Sequence, residues 1–313
     1  MSWVNFSNKI LKYIILFLLC LLIFPINLKA AENPKVIFNQ LDASGDDYGP
    51  GDYKYPQDDI FQNKGNLFDL KSLTIFDLNE KYKFRFSFSR LTDPWGAKFK
   101  FSLPLVEVYI DNQDGGSGSL FHEGANVSFK KSFKWDKFLK ISGWWVRVFT
   151  PESKKENMLN INDFSFNKNF SMEDIKLKKV KNDILLSISK NKLKSLENAK
   201  IIVLVGSFDP FGFDHFRSLT REKHYWQIYT SANGDLKKLP RVMDILTPGA
   251  KSQKNILKGE LPEIPYFKVD INKKDAPPTL VDNLKPVNKI SLILVFTYIL
   301  LLIFVIYKFK YKE

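Results

Sequence analysis

The feature that most restricts the fold of this chain is a strict two-residue alternation at residues 82–89, YKFRFSFS. Every even position is aromatic and every odd position is polar, so the two kinds of side chain fall on opposite faces of an extended strand. Shorter alternations at 98–103 and 184–189 indicate further half-buried strands, and the apolar run 201–205 indicates a fully buried one. Turn dipeptides separate these segments: Asp93-Pro94, Gly115-Gly116 and Asn233-Gly234.

No long segment between the two ends of the chain has a clean helical periodicity. Aromatic residues make up 15% of the sequence, which suits strands that pack broad faces against each other. Many strands with few helices favour a sandwich over an α/β enzyme fold. The sequence therefore predicts an all-β domain, a two-sheet antiparallel β-sandwich, over residues 32–250.

The N-terminal segment has the pattern of a secretory signal peptide. Lys9 and Lys12 precede an apolar stretch at 14–24, and Pro25 then breaks it before the small residues Ala30 and Ala31. This order of a basic start, a short apolar core and small residues predicts a signal peptide at 1–31. An uncleaved membrane anchor is the alternative interpretation.

The C-terminal segment predicts one transmembrane helix. Residues 290–307 are apolar or weakly polar, and at about 1.5 Å per residue they just cross a bilayer core. More lysines follow the segment than precede it, which places the tail, 308–313, in the cytoplasm and the domain outside. The Lys/Pro-rich segment 251–289 has no periodicity and predicts a stalk.

The cysteine count and the net charge of the chain narrow the class of protein further. The chain has a single cysteine, Cys20, which lies in the predicted signal peptide, so the exported domain relies on its own core or on bound ions. The formal net charge is +13, and lysines at the two ends supply much of it. The remaining lysines are dispersed between acidic loops, and this pattern argues against nucleic-acid binding.

The densest motif is an acidic, glycine-rich loop at residues 42–53. Four carboxylates and three glycines occur within eleven residues, so the backbone can turn sharply and the oxygens can converge. Hard oxygen ligands on a flexible loop suit calcium, although the spacing differs from the helix–loop–helix calcium motif. The alternative is an acidic turn that satisfies its own backbone amides.

The chain resembles the C-terminal domain of glucodextranases, a surface-layer-like binding module. The likeness spans about residues 36–250. It is carried by GDDYGPG at 45–51, YKYP at 53–56, DPWG at 93–96, VYID at 108–111, SGW at 142–144, VGSFDPFG at 205–212 and VMDIL at 242–246. The resemblance implies a sandwich similar to family 9 carbohydrate-binding modules, in which calcium is a common structural ion, and a non-catalytic attachment to glycan or cell surface. The candidate calcium ligands are Asp42, Asp46, Asp47 and Asp209.

Sugar binding needs an aromatic face flanked by hydrogen-bonding groups. Trp95 follows a proline in a loop and is the best platform candidate, while Trp144 and Trp145 point to opposite faces if they lie on a strand, so one of them belongs to the core. Trp226 is a further tryptophan candidate, and Tyr109, in the VYID segment, is also a candidate ligand-binding residue. Tryptophan is often a core residue instead, because it is heavily buried on average.

Catalysis has little support in the sequence. His215 beside Asp214 could contribute to a metal site, but no second histidine lies at ligand spacing, and Ser207 lacks the second glycine of a nucleophile elbow. The sequence thus predicts a membrane-anchored, extracytoplasmic module that binds carbohydrate or a cell-envelope polymer and is not an enzyme. The alternative is a structural or protein-interaction domain with a protein partner.

Overall fold

The structure, a computed structural model, describes residues 34–270 apart from residues 63, 122, 154–173 and 248–249. The predicted signal peptide, transmembrane segment and tail, and residues 271–289 of the predicted stalk, lie outside these residues. Among the residues described, no helix is long and apolar enough to cross a membrane. All of the described residues belong to one compact unit.

Five antiparallel strands form the first sheet. Their spatial order is β1 (Lys35–Leu41), β2 (Leu70–Asp77), β3 (Lys81–Phe88), β9 (Asp183–Ser189) and β8 (Ile175–Val180). In β3 burial alternates strictly, with the aromatic side chains inward and the polar ones at the surface. The alternation at 82–89 and the strand at 184–189 are thus confirmed.

The second sheet contains six antiparallel strands. Five lie in the order β13 (Val242–Ile245), β10 (Lys200–Ser207), β4 (Pro104–Asp111), β6 (Lys137–Ile141) and β7 (Val146–Phe149), and β15 (Phe267–Lys268) pairs with the start of β10. The predicted buried strand at 201–205 is the middle of β10, whose residues after Lys200 are all buried.

Two short parallel pairs and three short helical segments complete the described elements. β11 (Leu219–Thr220) pairs with β12 (Ile228–Tyr229), and β5 (Ser128–Phe129) pairs with β14 (Glu263–Ile264). The helices are α1 (Lys190–Leu193), α2 (Ala250–Ile256) and a 3-10 turn at Glu123–Ala125. The described fold is therefore all-β with few helices, as predicted.

The main hydrophobic core lies between the two sheets. It unites inward side chains of the first sheet with those of the second: Leu73, Ile75, Phe84, Phe86, Ile184 and Leu186 with Val106, Val108, Leu139, Ile141, Ile201 and Val203. Because both sheets contribute one face to a shared apolar layer, the architecture is a β-sandwich.

A second core covers the outer face of the six-stranded sheet. Loops place large aromatic side chains over Leu105 and Tyr109 of β4 and over Ile202 and Leu204 of β10: Phe121, Phe133, Trp135, Trp145, Phe208 and Phe216. The central strands of this sheet are therefore buried on both faces. This explains the continuous apolar run of β10.

The alternation at 98–103 does not form a strand, so this prediction is wrong. Lys100 has a φ of 65°, in the left-handed region, and its amide donates to the carbonyl of Ala97 at 3.0 Å. Phe101 and Leu103 still reach the main core, but they do so from turns. Ser102 between them is also buried, so the burial of this segment does not follow the alternation of its sequence.

The folded domain extends to residue 270, past the predicted boundary at 250. α2 packs its buried Gln253 against the domain, β14 and β15 pair with β5 and β10, and the amide of Val269 donates to the carbonyl of Ala199 at 2.8 Å. Residues 251–270 are therefore part of the sandwich and not of a stalk. Their prolines suit short edge strands and turns.

Candidate functional site

Residues 42–53 form an irregular loop whose glycines carry its turns. Gly45, Gly49 and Gly51 have φ values of 81°, 58° and 97°, which side chains with a Cβ rarely adopt. At Gly49 a Cβ would also lie 2.4 Å from the ring of Tyr53. The loop therefore requires glycine at this position for two independent reasons.

Two strands bring further carboxylates to this loop. Asp69 directly precedes β2 and Asp244 lies in β13, and both are buried. One carboxylate oxygen from each of Asp46, Asp69 and Asp244 lies within 4.8 Å of the others. Asp42 and Asp47 lie near enough to raise the pKa of Asp244 through their charges. These five residues are called the acidic cluster: Asp42, Asp46, Asp47, Asp69 and Asp244.

Several oxygens of the acidic cluster are buried without a hydrogen-bond donor among the described residues. They are Oδ2 of Asp42, both carboxylate oxygens of Asp46 and Oδ1 of Asp47. None of the five carboxylates forms a salt bridge within the described part of the chain. Buried carboxylates without donors or counter-ions are costly unless protonation or a bound cation neutralises them.

The remaining oxygens hold the loop to the sandwich. Asp42 accepts from the amide of Thr247 at 2.9 Å, Asp47 from the amide of Phe68 at 2.8 Å, and Asp244 from the amide of Leu70 at 2.6 Å. These bonds tie the three carboxylates to two backbone segments, residues 68–70 and the residues that follow β13. The cluster is therefore positioned by the fold and not by a flexible loop alone.

Burial and mutual repulsion raise the pKa values of the cluster. Burial raises the pKa of Asp42 to about 7, with a further contribution from the charge of Asp46. Burial also raises the pKa of Asp47 to about 6 and the pKa of Asp46 by a smaller amount, to which Asp69 adds. The pKa of Asp244 lies well above its ordinary value, because the group is fully buried beside other carboxylates.

Gln253 of α2 locks the acidic loop to β13. Its Nε2 donates to the carbonyls of Asp46, Gly49 and Met243, and its Oε1 accepts from the amide of Ile245 at 2.9 Å. The segment assigned to a stalk by its composition thus supplies a structural part of the site. Its polar character gave no signal that it would be buried.

The structure brings together three of the four predicted metal ligands. Asp42, Asp46 and Asp47 belong to the acidic cluster, whereas Asp209 lies in the β10–β11 loop and accepts from Nε1 of Trp226 at 3.2 Å and from the amide of Phe211 at 3.0 Å. The cluster instead takes Asp69 and Asp244, which are 175 residues apart in the sequence. No local motif could have connected them.

Four aromatic rings form a continuous row across the loops at one part of the domain. Trp95 lies between Trp144, at 6.1 Å between ring centroids, and Trp226, at 5.7 Å. Phe211 follows Trp226 at 5.9 Å, and its side chain is 85% exposed. The three tryptophans are half-buried. These residues are called the aromatic strip: Trp144, Trp95, Trp226 and Phe211.

Arg217 supports the aromatic strip from beneath. Its guanidinium lies 3.9 Å from the ring centroid of Trp226, and it donates to Ser207 Oγ and to the carbonyls of Phe208 and Trp226. Burial lowers the pKa of Arg217 to about 10, which still leaves it charged at neutral pH. A fixed cation under a tryptophan ring holds that ring in place.

Two of the predicted ligand-binding residues are core residues. Trp145 is 8% exposed and packs on Phe208 and His215, and Tyr109 is 0% exposed and stacks on Phe138 with 4.4 Å between ring centroids. Neither presents a face to a ligand. Trp95 and Trp144 remain as half-buried candidates. Trp144 and Trp145 lie just before β7 and not on a strand, and both rings pack on Phe208, so the condition for opposite directions is not met.

A buried ion pair anchors the loop that carries Phe211. Lys140 of β6 and Glu107 of β4 lie side by side, fully buried, with Nζ and Oε1 3.0 Å apart. Lys140 also donates to the carbonyl of Asp214 at 2.7 Å, and Arg241 pairs with the carboxylate of Asp214. These contacts fix residues 208–216 over the outer face of the six-stranded sheet.

The residues considered for catalysis are enclosed. Ser207 and His215 are buried, and burial together with the nearby cations Lys140 and Arg147 lowers the pKa of His215 to about 4. Ser207 Oγ accepts from Arg217 at 3.0 Å. Both side chains therefore serve the packing of this region and do not face solvent.

The comparisons with known proteins agree with the resemblance noted in the sequence. A family model described as the C-terminal binding module, SLH-like, of glucodextranase matches residues 37–263. This match includes the acidic loop, all four residues of the aromatic strip and α2. No curated protein matched the chain.

Proposed function

The chain belongs to the family of SLH-like C-terminal binding modules of glucodextranase, and from this premise we propose that it is a non-catalytic module that binds carbohydrate or a cell-surface polymer outside the cytoplasm. The aromatic strip is the observation that carries this proposal. Its rings are neighbours in space but come from separate segments of the chain, and none of the four belongs to the fully buried core.

The strip has the chemistry that a sugar requires. A pyranose presents an apolar C–H face, which stacks on an indole or phenyl ring, and hydroxyls at its rim, which need hydrogen-bonding partners. Asp209 lies beside the strip, where its carboxylate already holds Trp226 and Phe211. Phe211 extends the row into solvent, where a polymer can approach without a conformational change.

Calcium is the second part of the proposal. The acidic cluster fits this ion, because it offers several buried oxygens that lack a donor in the described structure and because carboxylates are the hard ligands that calcium prefers. The residues that would hold the ion are Asp46, Asp69 and Asp244, with Asp42 and Asp47 close by. A bound cation would neutralise charges that the fold leaves unpaired.

The location of the module is also proposed. The apolar segments 14–24 and 290–307 support a protein that is exported and then held by one C-terminal helix, with the domain outside. A protease added to intact cells would then remove the domain and leave a small C-terminal fragment. Complete protection of the domain in intact cells would contradict this topology.

The binding proposal is tested with the full chain, purified in mild detergent and run through gels that contain neutral glucans or envelope polysaccharides. We expect retardation by at least one polymer and about tenfold weaker binding of Trp226→Ala and Phe211→Ala, since the loss of one stacked ring removes about 1.4 kcal/mol. Leu41→Ala is the control, because Leu41 is an exposed apolar residue outside the strip.

Two results would contradict the proposal. The first is no retardation by any neutral or envelope polysaccharide. The second is cross-linking in native membranes to a stoichiometric protein partner without any glycan binding, which would favour a protein-interaction domain instead. A further result concerns the strip alone. If Leu41→Ala weakens the retardation as much as Trp226→Ala does, the aromatic strip is not the binding site.

A further inference from the structure

A separate pocket lies between the acidic loop and the segment that follows β11. Its volume is about 510 Å³, and it is open to solvent. Four tyrosines line it: Tyr48, Tyr53 and Tyr55 from one segment and Tyr229 of β12 from another. The volume lies within the range of roughly 300–1,000 Å³ that is typical of small-molecule sites.

The charged side chains in the lining of this pocket are all lysines. Three lysines line it, Lys54, Lys64 and Lys223, and the described residues of the lining include no carboxylate. The ammonium group of Lys54 lies 5.5 Å from the ring centroid of Tyr229. Lys64 and Lys223 form no ion pair within the part of the chain that the structure describes.

His224 adds a directed hydrogen-bond donor to the same lining. Its Nδ1 accepts from the amides of Trp226 and Gln227, at 3.0 and 3.1 Å. Because Nδ1 acts as an acceptor, the ring proton is on Nε2. The free edge of the ring therefore offers an N–H group, which suits an acceptor on a ligand.

The tyrosine wall is held rigid from behind. The hydroxyl of Tyr55 donates to Oδ2 of Asp47 and accepts from the amide of Leu67 at 3.1 Å, and Tyr48 stacks on Tyr55 at 5.5 Å between centroids. Asp47 of the acidic cluster thus holds this wall through the hydroxyl of Tyr55. A pre-formed wall reduces the entropy lost when a ligand binds.

We propose that this pocket binds an anionic sugar unit of a polymer, with its carboxylate or phosphate group paired with Lys64 and Lys223 and its ring against the tyrosines. A neutral sugar would use the rings but none of the three ammonium groups, whereas an anionic one uses both. The proposal relies on the proposed function for the ligand class, a glycan, but it concerns a different surface from the aromatic strip.

The test is isothermal titration calorimetry of the full chain with three probes: polygalacturonate, whose sugar units carry carboxylates, phosphomannan, whose sugar units carry phosphates, and pullulan, which is neutral. We expect one of the two anionic polymers to bind, and its identity then shows which anionic group the pocket takes. Binding should weaken about tenfold in the double variant Lys64→Gln/Lys223→Gln, since two charge-assisted contacts are lost.

The double variant Lys130→Gln/Lys131→Gln is the matched control. It removes the same charge from two exposed lysines outside the pocket lining, and we expect it to bind the anionic polymer as the unmodified chain does. Equal weakening in both double variants would overturn the proposal, because the effect would then come from net charge alone. Binding of a single-stranded oligonucleotide more tightly than either polymer would also overturn it.

The two proposals fail in different ways. If pullulan or another neutral glycan binds through Trp226 while neither anionic polymer binds, the pocket proposal is wrong and the proposed function stands. If no glycan of any charge binds, the proposed function is wrong as well. If an anionic polymer binds and Trp226→Ala removes that binding while Lys64→Gln/Lys223→Gln does not, the polymer occupies the strip and not the pocket.

Discussion

The acidic cluster and the aromatic strip, which together are called the loop edge, and the second core on the outer face of the six-stranded sheet, called the sheet face, both contain carboxylates and aromatic rings, but in different surroundings. On the sheet face, Glu107 and Lys140 pair at 3.0 Å, and Tyr109 and Trp145 are enclosed by other rings. At the loop edge, Asp46 has no donor for either carboxylate oxygen among the described residues, and Phe211 is exposed.

This difference indicates which groups stabilise the domain and which are available to bind a ligand. Groups whose requirements are met inside the domain stabilise it, whereas groups left without an internal partner are available to an external one. The sheet face should therefore respond to mutation through stability, and the loop edge through binding. The following predictions test that division, from the largest expected effect to the smallest.

The largest effect is expected at the buried ion pair. Glu107→Gln or Lys140→Met alone should lower the free energy of unfolding by about 3–5 kcal/mol, because the partner charge is left buried and unpaired. Urea denaturation measures this loss. The double variant Glu107→Leu/Lys140→Met should be more stable than either single variant, since it leaves no unpaired charge. If the double variant loses as much free energy of unfolding as the sum of the two single variants, the two side chains do not stabilise each other and the prediction is wrong.

His215 should make the sheet face sensitive to acid. Its pKa is lowered from 6.5 to about 4 in the folded state, so the unfolded chain binds a proton first as the pH falls. The stabilisation is complete above pH 6.5 and is lost towards pH 4, by about 2–3 kcal/mol at pH 4.5. His215→Gln should remove this part of the pH dependence in thermal melts with a chelator present. An unchanged slope would contradict the assignment.

At the loop edge, calcium should stabilise the unmodified chain. An ion concentration of about 100 times Kd gives about 2.7 kcal/mol, or several degrees in Tm for a domain of this size. Asp46→Asn should abolish the response, while Asp209→Asn, outside the acidic cluster, should keep it. Without calcium, Asp46→Asn should not destabilise the fold, because it removes a buried charge that has no partner. A melting curve unaffected by both calcium and chelator would remove the ion from the account.

The sequence predicts a feature well when the residues that form it are close together along the chain. The alternation of β3 and the apolar run of β10 are local, and both strands form as predicted. The acidic loop is local too, but Asp69 and Asp244 join it only through strand pairing and packing. Tyr109 was predicted as a ligand-binding residue, yet β4 is buried on both faces, which depends on loops far away in the sequence.

The end of the domain illustrates the same limit. Residues 251–270 are rich in lysine and proline, and their composition predicts a stalk. Three residues nevertheless hold the segment to the domain. The side chain of Gln253 accepts from the amide of Ile245, Ile264 pairs with Phe129 of β5, and the amide of Val269 donates to the carbonyl of Ala199. Composition describes the exposed majority of such a segment and misses the few residues that anchor it.

The central claim is that the aromatic strip of this module binds a glycan, and tryptophan fluorescence tests it most directly. Three of the four rings of the strip are tryptophans, so a sugar that stacks on them should change the emission of the full chain. The account predicts a saturable change on titration with the polymer that retards the chain, with about tenfold weaker binding in Trp226→Ala. A titration curve that Trp226→Ala leaves unchanged would contradict it.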